Sequence, residues 1–196
     1  MHLVFDIFTG VGIAAAAGIR PFLPALAVGA LGAGDVNIDF THCSFSFLEQ
    51  APFLLAMAVL AALLAFAERR ISQERLERGP AGLLIAGAAI AVGALLFAGS
   101  LCRGGYAIWP GIVGGIVCAV IGILATRPLL ARVRARLDAE TVGALGLFTE
   151  AAALIAAVLS VLAPPVGVIV LALLLWLVIA GRGRGDQKYA GLRILR

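Results

Sequence analysis

Two charges stand in apolar company in this sequence. Arg20 interrupts the run from Val11 to Ala33, and Glu150 interrupts the run from Thr141 to Ala163. A charge near a bilayer centre costs about 2.5 kcal/mol or more on insertion scales, so such residues pair, face a cavity or mark a site. Glu150 follows Thr141 by nine residues, about 13 Å at the rise of a helix, and is the deepest acid in the chain. Arg20 and Glu150 are therefore expected to meet and line a polar site. A guanidinium there forks onto a carboxylate, a phosphate or a lipid headgroup. Two plainer arrangements stand beside this one: an ion pair that only fixes helix packing, and an Arg20 that snorkels to the outer interface.

The residues around Arg20 add to that chemistry. Pro21 and Pro24 lack backbone donors, and Pro21 disfavours helical geometry at Arg20. Leu3 to Gly34 thus reads as a broken segment, with a span ending near Arg20 and a half-length or re-entrant piece after it. Non-helical backbone at membrane depth is tolerated only against protein or a water-filled cavity. Arg127, which also precedes a proline, joins the set. The candidate ligand-binding residues are Arg20, Pro21, Pro24, Arg127 and Glu150.

Other chemistries find little support. The three cysteines (Cys43, Cys102, Cys118) and two histidines (His2, His42) show no metal-ligand spacing. No Ser-His-Asp or Cys-His arrangement sits where catalysis would need it, and no Gly-rich phosphate loop precedes a lysine. Neither an enzyme, a cofactor nor a bound metal is expected. Cys43 and Cys102 fall in two loops of the same side, so a disulfide between them and two free thiols are both open. Glu49 and Glu68 lie at span edges and read as contacts to water, and Asp6, within the first apolar run near its cytoplasmic end, reads as interfacial.

The elements that must position these residues follow from composition. Of 196 residues, 62% are hydrophobic and 13% charged, where soluble domains run about half and a quarter. The expected fold is all-α, a single integral membrane domain over residues 1–196 with about six spans. After the broken first segment the spans are Ala51–Ala67, Pro80–Gly99, Tyr106–Thr126, Thr141–Ala163 and Val166–Ala180. Phe45–Leu48 would lengthen the second. Arg127–Glu140 reads as a short amphipathic surface helix.

Lysine and arginine alternate along the connections: none in 35–50, four in 68–79, one in 100–105, four in 127–140, none in 163–165 and five in the tail. The positive-inside bias explains that pattern better than nucleic-acid binding does. It predicts a multi-pass membrane protein with both termini cytoplasmic, provided the first segment crosses once. Two crossings there would put the N-terminus outside. The lipid bilayer and a small anionic or lipid-like ligand are the expected partners.

Three short matches suggest a 3+3 inverted repeat, with halves 1–99 and 106–180. Arg20-Pro21 recurs as Arg127-Pro128, Val28–Gly32 as Val142–Gly146, and Phe47-Leu48-Glu49 as Phe148-Thr149-Glu150. Gly111 and Gly115 have the small-xxx-small spacing that lets helices approach closely, here within one chain.

The Gly18, Arg20, Pro24 pattern, the Thr126-Arg127 pair and Glu150 resemble a bacterial family of small integral membrane proteins, domain of unknown function 4126. The likeness runs over nearly the whole chain. Ala151 stands where that family often has a second acid, and Gly122-Ile123-Leu124 where it tends to have His and Lys. The resemblance implies a polytopic membrane fold and no particular activity. The combined expectation is a transporter- or channel-like protein with an Arg/Glu site, or else a membrane scaffold whose ion pair is structural.

Overall fold

The computed structural model describes residues 2–41, 43–70, 79–137 and 139–190. His42, Arg75, Arg78 and residues 191–196 of the basic tail lie outside them. Seven α-helices occupy the described residues: α1 His2–Ile19, α2 Phe22–Ala33, α3 Ala51–Arg70, α4 Pro80–Arg103, α5 Ile108–Arg134, α6 Ala139–Leu162 and α7 Pro164–Ala190. Among the described residues there is no strand. Helices α3 to α7 are long and apolar enough to cross a membrane, while α1 and α2 are shorter apolar helices. The chain is an all-helical bundle of the multi-pass membrane kind.

The first segment breaks where its prolines require. The Arg20 amide still bonds back to the Ala16 carbonyl at 3.1 Å, and Pro21, which has no N–H, ends that ladder. Helix α2 then begins at Phe22. Pro24 falls in its first turn, where a missing donor costs nothing because those amides have no helical partner.

Helix α1 is the axis of the bundle, packed against α2, α4, α5, α6 and α7. Residues Ile13 to Ala17 are fully buried. Four consecutive alanines let neighbours approach from every side, and glycines bring them closer still. A Cβ on Gly18 would stand 2.3 Å from the Ala119 carbonyl oxygen, and one on Gly122 2.6 Å from that of Ala15. The Gly111 and Gly115 spacing serves the same purpose between α5 and α4, where a Cβ on Gly115 would meet the Gly93 carbonyl at 2.5 Å. Large apolar side chains face outward instead, including Leu55, Leu83, Trp109, Phe148 and Trp176. That inside-out distribution suits contact with lipid.

The ends of the bundle differ. Asp6 near the start of α1 pairs with Arg103 at the end of α4. Arg103 also donates to the Asn37 carbonyl in the α2–α3 connection. Those three therefore share one end. Arg20, Glu68, Gly82 and Arg127 share the other. Gly181, near Arg132, is at that second, arginine-rich end too.

This geometry corrects several expectations. Helix α2, about 18 Å long at 1.5 Å per residue, runs from the arginine-rich end back towards the Asp6 end. It is not a re-entrant piece that returns to its starting side. The first segment thus runs along the bundle and back, as a longer helix and the expected half-length one, and the start of α1 and residue Gly181 lie at opposite ends of the bundle.

The course of α2 also bears on the inverted repeat. Helices α1 and α5, which carry the two Arg-Pro pairs, run in the same direction, as do α2 and α6. An inverted repeat requires opposed directions. Arg127–Glu140 is not a separate surface helix either, because α5 continues through Pro128 to Arg134. Phe45–Leu48 does not extend α3: Ser46–Glu49 forms a 3₁₀ turn, and Gln50 is extended at ψ 142°.

The α2–α3 connection is more than a polar loop. Ile38, Phe40 and Leu48 are essentially fully buried and join the core with Ile13, Val28 and Leu96. The Glu49 carboxylate accepts the Phe40 amide, and Asp39 accepts from the Thr41 amide and hydroxyl at 2.7 and 2.6 Å. The connection thereby caps the short α2 with its own apolar side chains.

Candidate functional site

Arg20 is held at the break between α1 and α2, with its residue only 9% exposed. Its partner is Glu68, in the last turn of α3, not Glu150. The Nη1 atom donates to the Glu68 carboxylate. Nε and Nη2 both donate to the Thr149 hydroxyl, at 3.3 and 3.2 Å. Thr149 passes its own proton to the Gly146 carbonyl at 2.7 Å. One guanidinium thus ties α3 to α6 across the end of α1.

Glu150 stands beside this network without a bond to Arg20, although both Arg20 and Glu68 lie within its electrostatic reach. Successive helical residues are about 100° apart around the axis. With Thr149 turned to Arg20, Glu150 is turned away from it.

Arg127 comes from α5, about two turns before its end. Its Nη2 donates to the Gly82 carbonyl in the first turn of α4, at 2.9 Å. That carbonyl lies near a helix start, so the bond draws α5 onto α4. Among the described residues Arg127 has no carboxylate partner. Thr126 beside it donates to the Gly122 carbonyl at 2.7 Å.

These residues surround one cavity of about 60 Å³, room for a few waters. Arg20, Pro21, Glu68, Gly82, Thr126 and Arg127 line it, above apolar residues that include Ile85 and Ile123. Two guanidinium groups against one carboxylate leave the lining with net positive charge. Of the five expected site residues, Arg20, Pro21 and Arg127 line the cavity. Pro24 is buried in α2, and neither it nor Glu150 is in the lining.

No family model, curated protein or solved structure matches this chain.

A second polar cluster closes the opposite end. Asp6 is 2% exposed and pairs with Arg103. The Ser100 hydroxyl contacts the Asp6 and Phe97 carbonyls, at 3.2 and 2.8 Å. Sequence reasoning placed Asp6 at the interface and Glu68 in water and so missed both. A signal existed for Asp6. Arg103 is the one basic residue in the connections of that end, and a lone guanidinium beside a core asks for a carboxylate. Glu68 carried a weaker signal, as an acid closing an apolar span that also ends in Arg69 and Arg70.

Proposed function

We propose that this chain is a small transporter- or channel-like protein of a bacterial inner membrane, which takes an anionic group into the cavity between α1, α4 and α5. The observation that supports it is Arg127. Its guanidinium lines the cavity with a neutral carbonyl as its one partner among the described residues, next to an Arg20 already neutralised by Glu68. Bidentate donors aimed into a small, largely apolar space suit a phosphate or carboxylate oxygen. The proposal is for a binding and passage site, not a catalytic one. Membership of the bacterial membrane family that the Gly18, Arg20, Pro24 pattern resembles belongs to the same proposal.

Orientation follows from the positive-inside bias. The arginine-rich end, with the cavity, faces the cytoplasm, and the Asp6–Arg103 end faces out. The N-terminus is then outside and the C-terminus inside, with seven passes between them.

The test uses detergent-purified protein at constant ionic strength. Inorganic phosphate, succinate or phosphatidylglycerol in mixed micelles should raise the unfolding midpoint above that in chloride or in neutral lipid. Arg127→Gln should abolish the rise. Flux is measured separately, as anion efflux from proteoliposomes under a membrane potential, with Arg127→Gln expected at the rate of empty liposomes. No stabilisation by any of the three overturns the site.

A second reading draws on the saturation of Arg20, whose donors already hold α3 and α6 together. On that reading the chain is a membrane scaffold and the polar residues only fix packing. Binding without flux, or neither, would select it.

A further inference from the structure

Cys43 and Cys102 are 59 positions apart in the sequence, on the α2–α3 connection and in the last turn of α4. Two contacts fix one against the other. The Phe40 ring and the Leu48 side chain lie over Gly99, where an added Cβ would stand 3.0 and 3.2 Å from them. Arg103, next to Cys102, donates to the Asn37 carbonyl at 2.5 Å. Between those points the Cys43 thiol lies within electrostatic reach of Cys102. The backbone at Cys43 is held as well: its amide bonds to the Phe40 carbonyl and its carbonyl accepts the Ser46 amide, each at 3.1 Å. Both thiols are half-buried and free in this state, whereas Cys118 is buried in α5, away from them.

We propose that Cys43 and Cys102 are oxidised to a disulfide that fastens the α2–α3 connection to the end of α4. The oxidant is a disulfide, from a protein or a small molecule. One cysteine thiolate attacks it and releases the first oxidant thiol. The second cysteine thiolate then displaces the other oxidant sulfur, forming the Cys43–Cys102 bond. Two thiols become one disulfide, two protons leave, and the oxidant is reduced to two thiols. This pair sits at the end remote from the arginines. The inference rests on the orientation proposed above, which places that end in an oxidising compartment where disulfides persist. It does not rest on the anion site.

The connection is a good place for such a bond. It buries Phe40 and Leu48 over a helix of only about three turns, and it flanks the Asp6–Arg103 pair that closes this end. A cross-link over so long a loop removes much conformational freedom from the unfolded chain.

The experiment treats reduced, full-length protein in detergent with oxidised glutathione, then alkylates it and weighs it intact. Three maleimide adducts should fall to one, with no glutathione retained. The unfolding midpoint should rise by about 5–10 °C. Cys43→Ser and Cys102→Ser should each abolish the rise, and Cys43→Ala stands in if the serine variant does not fold. In cells quenched with acid, two thiols should resist maleimide until reduced. Three adducts after oxidation, or a persistent single glutathione adduct, overturns the pairing. A disulfide in detergent with three free thiols in cells overturns the cellular oxidation and the orientation beneath it. Phosphate binding is unaffected by any of these outcomes, so the anion site stands or falls separately.

Discussion

Glu68→Gln removes the charge that answers Arg20 and leaves the shape of the site nearly unchanged. The Arg20 and Glu68 side chains are 11% and 15% exposed, so water screens neither of them well. After the substitution Arg20 keeps the Thr149 hydroxyl and an amide oxygen, both neutral. Breaking a buried pair from one side costs about 3–5 kcal/mol. The retained hydrogen bonds and residual exposure bring the expected loss to about 2–3 kcal/mol. At about 2–4 °C per kcal/mol for a chain of this size, the unfolding midpoint should drop by about 4–12 °C. Survival of the monodisperse peak after heating in detergent measures it. Arg20→Gln and the double variant complete a cycle, with a coupling of about 1–3 kcal/mol expected. Glu150→Gln is the control, and should cost about 0.5 kcal/mol or less because no ion pair is lost. A Glu68→Gln protein within 1 °C of wild type, with the loss appearing in Glu150→Gln, would refute the assignment of the pair.

The same melting assay separates two glycines. Gly18→Ala drives a methyl to 2.3 Å from the Ala119 oxygen and should cost about 1–3 kcal/mol, while Gly87→Ala, with nothing within 4 Å, should stabilise α4 by up to about 1 kcal/mol. Reporter fusions at the two termini should report opposite sides of the membrane, and the same side for both would contradict seven passes. Burial first, then the neighbouring Cys102, pushes the Cys43 thiol up to about 11. A raised value leaves less thiolate at neutral pH, so in reduced protein Cys43 should alkylate slowly there, quickening about tenfold per pH unit towards 11. Peptide mass spectrometry follows it, and a plateau below pH 9.5 would speak against that environment.

Much of this bundle is legible in its hydropathy. Helices α3 to α7 each carry an apolar run long enough to cross, and the prolines after Arg20 mark the break at the residue where it occurs. The length of α2 misled the count. Twelve residues fall short of a span, and hydropathy cannot show that the next connection folds Ile38, Phe40 and Leu48 inward to finish the distance. That return of α2 along the bundle set the two Arg-Pro pairs at one end and the start of α1 at the other.

The partner of Arg20 was hidden for a different reason. Helix α6 is apolar on nearly every face, so the sequence does not say which face meets α1, and a turn of one residue exchanges Glu150 for Thr149. Arg127 was found because, like Arg20, it closes an apolar run and precedes a proline. Glu68 was not, since an acid at the edge of a span resembles one in water until its neighbour is known.

The position of α1 has a consequence for synthesis. It leaves the ribosome before the described helices it packs against, and is completed only once they have followed. Asp6 waits 97 residues for Arg103, and Arg20 waits 129 for Thr149. At about 5–20 residues per second, those delays are on the order of 5–25 s. Until then each end of the helix carries a charge without its final contacts, at about 2.5–3.5 kcal/mol for a residue facing lipid at depth. Glu68 arrives earliest, so the Arg20 end of α1 can be neutralised while the Asp6 end still lacks its arginine. The central helix is therefore inserted before it is stable, and its retention in the membrane depends on chain not yet translated.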